Sequence, residues 1–112
     1  DWNKEYLLTP ELFDIAAQRN FTIHKDAFDA FTGNPHTAAI LRYLKPEVAV
    51  VYGVTTNVCV NAAVINLVRK VKRVIVVEDA IKELPGIPLP FKEWKKKGVE
   101  LIKLRELKNM LR

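Results

Sequence analysis

The stretch GVTTNVCV, residues 53–60, joins an apolar run to an amphipathic run and contains the only cysteine of this 112-residue chain. The apolar run at 48–52 predicts a strand, and the Gly/Thr/Asn composition that follows predicts a tight turn leading into a helix. This arrangement places the Cys59 sulfur over the first exposed N–H groups of the helix. Such groups favour a thiolate, so Cys59 is a candidate nucleophile; a small structural residue is the alternative interpretation.

The composition is that of one domain with a hydrophobic core, since 49% of the residues are hydrophobic. A single cysteine excludes an internal disulfide framework and a cysteine-rich zinc site, and we predict a cytoplasmic location. No apolar run approaches the ~20 residues that a membrane-spanning helix needs, and the first residues resemble neither a signal nor a transit peptide. We therefore expect no membrane partner.

The positive charge is concentrated in the second half of the chain. Residues 1–56 carry 5 Lys/Arg and 7 Asp/Glu, whereas residues 57–112 carry 13 and 6. A basic half is compatible with nucleic-acid binding. However, the lysine-rich segment at 92–97 includes a glutamate, and no ladder of alternating aromatic and basic residues accompanies it. We interpret the lysines as a solvated face and expect no nucleic-acid partner.

Helix and strand patterns alternate along the chain. Helices are predicted at about 9–19, 36–44, 57–70, 91–97 and 104–112, and strands at 21–24, 48–52, 73–77 and 99–103. The second and third strands are continuous apolar runs, which is typical of strands covered on both faces. Residues 25–37 are predicted to be a loop, and the proline-rich residues 84–90 a connector. The alternation predicts a three-layer, Rossmann-like α/β fold with a mostly parallel sheet and helices on both faces.

Several candidate functional residues follow the predicted strands at their carboxyl ends. They are His24 and Lys25, the turn at 53–60, and Glu78 with Asp79. In a parallel α/β sheet these ends share one edge, where active sites form. A cation close to a thiol favours the thiolate, so the pairing of Lys25 with Cys59 strengthens the interpretation of Cys59 as a nucleophile.

Two phenylalanines, Phe28 and Phe31, lie in the predicted loop at 25–37. Aromatic side chains in a loop need a surface on which to pack. Packing in the core is one interpretation of the pair, and lining a substrate pocket is the other. The sequence leaves both interpretations open.

Three segments together resemble the isochorismatase-like cysteine hydrolases, the superfamily that includes nicotinamidases. They are the turn at 53–60 with the small residues 61–63, Lys25 followed by FDAF at 28–31, and VVEDA at 76–80. The likeness extends over about residues 8–103. It implies a single domain of this family and the α/β fold that the pattern of elements also predicts.

The resemblance implies a mechanism as well as a fold. It implies that Cys59 is the nucleophile, that Lys25 supports the thiolate, and that the Val54–Thr55 peptide bond is cis. The N–H groups of Thr55 and Cys59 would form an oxyanion hole. The implied reaction is hydrolysis of a small amide or related C–N bond through an acyl-enzyme, without a cofactor.

The family's catalytic triad also contains an aspartate at the end of the first strand, which has no match in this sequence. Only 24 residues separate Asp1 from Lys25, too few for the strand and helix that would lie between them. Metal-binding nicotinamidases carry Asp-x-His in a loop that fits residues 1–3 by spacing, and Asn3 stands where the histidine would be. We expect no metal site, and we predict that residues 1–112 are the carboxyl-terminal part of a larger domain or a truncated version of it. We expect these 112 residues alone to be inactive or weakly active unless the missing aspartate comes from elsewhere.

Two other hypotheses compete with this one. The chain could be a non-catalytic α/β module that serves oligomerisation, with Phe91 and Trp94 as apolar edges. It could also be a hydrolase with His24 or His36 as the base, although His24 alternates away from Lys25 along the predicted strand and is better interpreted as a core histidine. Because members of the superfamily commonly form dimers or tetramers, we expect a homo-oligomer under the first two hypotheses.

Overall fold

The computed structural model describes Pro10 and residues 22–110, and the chain divides into two compact units, residues 1–46 and 47–112. The helix predicted at 9–19 lies outside the described residues, except for Pro10, which is helical.

Within residues 22–46 of the first unit, the structure describes two short helices, α1 (Ala30–Gly33) and α2 (Thr37–Leu44). The strand predicted at 21–24 is wrong for its described residues, because 22–24 are irregular. A strand is held by its ladder to a neighbour, and β propensity alone does not make one. Helix α1 is a single turn inside the predicted loop, and it begins because the Asp29 side chain accepts a hydrogen bond from the Phe31 N–H at 2.9 Å.

Helix α2 matches the helix predicted at 36–44. Its first four residues are buried, and Thr37 Oγ1 donates to the Ala30 carbonyl at 2.8 Å, which fastens α2 to α1. Lys45 ends the helix in a left-handed conformation, φ 48°, and its N–H donates to the Leu41 carbonyl at 3.0 Å. Leu44, the last residue of the helix, is exposed.

The second unit is a three-stranded parallel sheet with helices between and after its strands. The strands β1 (Val48–Val54), β2 (Arg73–Lys82) and β3 (Glu100–Ile102) lie in that order. A π-helical turn (Thr56–Val60) and helix α3 (Asn61–Val68) connect β1 to β2, helix α4 (Phe91–Lys96) connects β2 to β3, and helix α5 (Leu104–Met110) follows β3. The predicted parallel α/β architecture is confirmed.

Both faces of β2 are buried, and each faces a different helix layer. One face forms a core with the segment 56–68 and α4, and its buried residues are Val60, Val64, Val74, Val76 and Trp94. The other face forms a smaller core with α5 through Ile75, Val77 and Leu107. Because successive side chains of β2 point to opposite faces of the sheet, helices pack on both faces and the unit has three layers. Trp94 is only 2% exposed, so its interpretation as an apolar edge for oligomerisation is wrong.

Strand β1 differs from its prediction, because only one of its faces is covered. Alternate residues of β1 are exposed: Val48, Val50, Tyr52 and Val54. Val50 pairs in register with Ile75 of β2. Ile75 is buried against Leu107 of α5, whereas Val50 itself is exposed, so α5 does not cover it. Complete burial is thus confirmed for β2 residues 74–77 and is wrong for β1, which lies at an edge of the described sheet.

Strand β2 is longer than predicted and contains an irregularity. Val51 pairs with Val76 and Gly53 with Ile81, so four β2 residues, 77–80, lie opposite the single residue Tyr52. Glu78 and Asp79 therefore lie within the strand and not after it. The Asp79 carboxylate accepts a hydrogen bond from the Leu104 N–H at 2.9 Å, which satisfies a backbone donor at the start of α5.

The first residues of β2 and β3 are joined by an ion pair. Arg73 donates through Nε and Nη2 to the two carboxylate oxygens of Glu100, the second at 2.7 Å. This hydrogen bonding lowers the pKa of Glu100 from its ordinary value of 4.5 and raises that of Arg73. Both side chains are more than a third exposed, so water screens the pair.

A pH effect on stability follows from this ion pair. A carboxyl group whose pKa is lowered in the folded state contributes stability at pH values above its ordinary pKa. This contribution is lost as the pH falls below 4.5 and through the folded-state pKa. We therefore expect Glu100→Gln to lower the urea midpoint modestly at pH 7 and to reduce the loss of stability between pH 5 and 3. The control is Glu93→Gln, whose exposed pairing with Lys96 at 3.8 Å is weaker. Equal pH dependence in both variants would refute this assignment.

Candidate active site

The turn after β1 has an unusual backbone. The Val54–Thr55 peptide bond is cis, where the family resemblance implied it. Gly53, just before it, has φ 119°, a conformation that favours glycine. The Thr55 carbonyl accepts hydrogen bonds from the N–H groups of Val58 at 3.1 Å and Val60 at 3.0 Å. The bond from Val60, five residues on, widens the turn into a π-helical one, a geometry that is frequent at functional sites.

Cys59 lies in this π-helical turn, directly before α3. Its side chain is half-buried, and the next residue, Val60, is buried in the core beside Val64. The predicted helix start at this point is confirmed, with a π-helical first turn. The sequence therefore places its thiol at the amino-terminal end of a continuous helical segment, 56–68, that the core holds in place.

Asn57, two residues before Cys59, fastens the turn to the proline-rich connector. The residue is buried, with only 7% of its surface exposed. Its Nδ2 donates to the carbonyls of Leu84 at 2.8 Å and Ile87 at 2.9 Å, and its Oδ1 accepts from the Leu84 N–H at 3.0 Å. This role leaves no signal in the sequence, because Asn57 also fits a local turn and its partners lie 27 and 30 residues away.

A second asparagine, Asn61, lies two residues after Cys59. Its Oδ1 accepts a hydrogen bond from Trp94 Nε1 at 2.8 Å, and the Phe91 ring packs edge-to-face on Trp94 with centroids 5.5 Å apart. These contacts join α4 to the segment that carries the thiol. Buried indole N–H groups usually find such a partner.

Thr56 is the least exposed residue of the turn. Its hydroxyl is buried and has no hydrogen-bond partner among the described residues. Buried polar atoms are nearly always paired, so an orphaned one needs a reason. Among the described residues, the Thr56 hydroxyl is therefore a buried polar group without a partner.

Lys25 lies in the first unit, and its side chain folds back onto the backbone of its own loop. Its Nζ donates to the carbonyls of Ala27 at 3.0 Å and Phe28 at 2.7 Å. A Cβ at Gly33 would lie 2.8 Å from the Ala27 nitrogen, so only glycine allows this close approach. Lys25 and Cys59 belong to different compact units, and their pairing stays a prediction.

The other residues predicted for the site have mixed outcomes. Phe28 is 70% exposed, so core packing is wrong for it, whereas Phe31 is half-buried. Their contact with a substrate stays a prediction. His24 and His36 are both exposed, so the interpretation of His24 as a core histidine is wrong.

The Asp79 carboxylate caps α5, and Asp1 and Asn3 lie outside the described residues. Across Pro10 and residues 22–110, no group of three or more His, Cys, Asp or Glu side chains could hold a metal ion. In the same part of the chain, no helix has the length and apolarity needed to cross a bilayer.

Comparison with known proteins identifies the family. The isochorismatase domain family matches residues 8–103, which is most of the chain. The chain belongs to the isochorismatase domain family. The family resemblance of the turn, the lysine segment and the VVEDA segment is therefore confirmed.

A solved structure has a similar fold. It is N-carbamoylsarcosine amidase from Thermoplasma acidophilum, with a TM-score of 0.62 and 24% sequence identity over 74% of this chain and 47% of that chain. At this identity the likeness supports the α/β fold alone. The chain spans less than half the length of that protein. No curated protein sequence matches the chain significantly.

Proposed function

We propose that this isochorismatase-family chain is part of a cysteine hydrolase that cleaves a small amide or a related C–N bond. The observation that carries the proposal is the position of Cys59 in the first turn of a core-anchored helical segment after β1. N–H groups at a helix start favour the thiolate, which is the reactive form of cysteine. Family membership supports the same conclusion.

The chemistry runs in two steps. The Cys59 thiolate attacks the carbonyl carbon, an S–C bond forms, the C–N bond breaks, and the departing nitrogen takes up a proton. Water then attacks the thioester, which releases the acid and restores the thiolate. In this proposal the N–H groups of Thr55 and Cys59 hold the carbonyl oxygen, Phe28 and Phe31 contact the substrate, and no metal or cofactor takes part.

The substrate class is a small molecule with a carbonyl–nitrogen bond. The structural neighbour is named for N-carbamoylsarcosine, which makes that compound the first substrate to test. We also propose a cytoplasmic location, a homo-oligomeric state and no nucleic-acid or membrane partner.

A non-catalytic oligomerisation module is the second candidate. The observation that favours it is the exposed apolar row on β1, in which Tyr52 is 71% exposed, because natural proteins usually protect such edge strands. The two candidates differ in what Cys59→Ser would do. Retention of the biological role by that variant would support the module.

Alkylation of Cys59 by iodoacetamide at pH 6 tests the proposed function. A free thiol is mostly protonated at this pH, so thiolate stabilisation should raise the rate on the order of tenfold over N-acetylcysteine, after allowing for the lower nucleophilicity of a stabilised thiolate. Because we assign thiolate support to Lys25, we expect Lys25→Ala to bring the rate down severalfold.

The control variant is Lys72→Ala. Lys72 is exposed, and its Nζ lies 3.9 Å from Glu47 Oε1. This substitution should leave the alkylation rate unchanged. A Cys59 that reacts no faster than N-acetylcysteine contradicts the activated nucleophile. Equal effects of the two lysine variants contradict a specific role for Lys25.

A further inference from the structure

We propose that Asn57 is a positioning residue, which holds the Cys59 turn in its reactive orientation by fastening it to the proline-rich connector. The proposal rests on the proposed function of Cys59. The connector, residues 84–90, lies between β2 and α4 and contains no helix or strand. Asn57 touches no reacting atom in this proposal and acts through the turn.

The hydrogen bonds of Asn57 make it well suited to this task. Both hydrogens of its Nδ2 are used, one on the Leu84 carbonyl and one on the Ile87 carbonyl, and its Oδ1 accepts the Leu84 N–H. Three bonds of 2.8–3.0 Å on one buried side chain define its position closely. Removal of the side chain would release all three connector groups from the turn.

The connector can serve as a stiff support. It contains Pro85, Pro88 and Pro90, and each proline ring fixes one backbone angle. Gly86, between the two carbonyls that Asn57 binds, has φ 85°, which shapes the bend that brings both carbonyls to one side chain. The support is therefore formed before the substrate arrives.

The support lies on a different side of the turn from the thiol. Side chains two residues apart on an α-helix differ by about 200° in direction, and on a wider π-helical turn they also diverge strongly. Asn57 and Cys59 are two residues apart, so the side chain that binds the connector and the thiol leave the turn in different directions. A loose turn would move the thiol relative to the N–H groups that favour its thiolate.

The test compares Asn57→Leu with Asn61→Leu in the alkylation assay across pH 5–9. Leucine keeps the approximate size of asparagine, adds no charge, and removes the hydrogen bonds. We expect Asn57→Leu to slow alkylation of Cys59 at pH 6 about three- to tenfold and to displace the rate profile to higher pH. Asn61→Leu makes the same change two residues beyond Cys59 but leaves the connector bonds intact, so its profile should remain that of the wild type.

A second variant keeps the test sound if Asn57→Leu does not fold. Gly86→Ala changes the exposed connector alone; nothing lies within 4 Å of the new Cβ, and the strain comes only from the positive φ. It should displace the profile in the same direction as Asn57→Leu but less. Far-UV circular dichroism and thermal unfolding check that each variant is folded.

The outcomes separate this proposal from the proposed function. A wild-type Cys59 that reacts no faster than N-acetylcysteine overturns the proposed function. The positioning role of Asn57 then falls as well, because there is no reactive orientation to maintain. A fast wild-type Cys59 together with an unchanged profile in folded Asn57→Leu and Gly86→Ala overturns the positioning role alone. So does an equal displacement by Asn61→Leu, because that would show only general loosening.

Discussion

Replacing Cys59 with alanine is expected to abolish hydrolysis, with a loss of at least about 10³-fold in kcat/KM for any amide that the wild-type chain turns over. Without the thiolate no S–C bond can form, and the remaining site can only bind the substrate and polarise its carbonyl. The measurement is the initial rate of release of the nitrogen-containing product, beginning with N-carbamoylsarcosine and extending to other small amides.

Thermal unfolding provides the control for this prediction. Cys59 is half-buried and alanine fits the same helical segment, so the variant should unfold near the wild-type temperature. A folded Cys59→Ala that retains more than a tenth of the wild-type rate would contradict the assignment of the nucleophile.

Replacing Trp94 with alanine is expected to lower the free energy of unfolding by about 3–5 kcal/mol. The indole is almost completely buried in the core that joins α4, β2 and the segment 56–68, so its loss leaves a cavity. It also removes the donor to Asn61 Oδ1. Urea unfolding followed by far-UV circular dichroism measures the effect, because tryptophan fluorescence changes with the substitution itself.

Two variants show which part of Trp94 matters. Phe91→Ala removes the ring that packs on Trp94 but is itself 36% exposed, so its cost should be clearly smaller. Trp94→Phe keeps an aromatic ring and loses the hydrogen bond, and it should lie between the two. A loss for Trp94→Ala no larger than that for Phe91→Ala would contradict the central place of Trp94 in this core.

Local patterns predicted much of the second unit. The apolar run at 73–77 became a strand buried on both faces, and Gly98, with φ 83°, follows α4 where the sequence placed the end of the helix. These features depend on interactions within a few residues, such as alternation along a strand or a left-handed helix end. The parallel α/β fold followed from their order along the chain.

The errors arose where structure depends on distant neighbours. Residues 22–24 have strand-forming side chains but no ladder, and β1 is as apolar as β2 but is covered on one face only. Burial is set by which elements lie above and beside a strand, and the composition of the strand does not contain that information. The irregularity of β2 at 77–80 is equally invisible in its sequence.

The candidate site was predicted in its local part. The turn, its cysteine and the start of the helical segment could be inferred from residues 53–60, because a strand, a glycine turn and a helix follow each other directly. The bonds of Asn57 to the connector could not, because they join residues 27 and 30 positions apart. A buried, fully bonded asparagine and a turn-forming asparagine look the same in a single sequence.

The covalent acyl-enzyme is the most direct test of the account. The wild-type chain is mixed with an amide that it hydrolyses, quenched in acid at short times, digested, and analysed by mass spectrometry. We expect the acyl group of the substrate on the peptide that contains Cys59, appearing before product accumulates and absent in Cys59→Ala. Product formation with Cys59 unmodified at every time point, and at the same rate in Cys59→Ala, would contradict it.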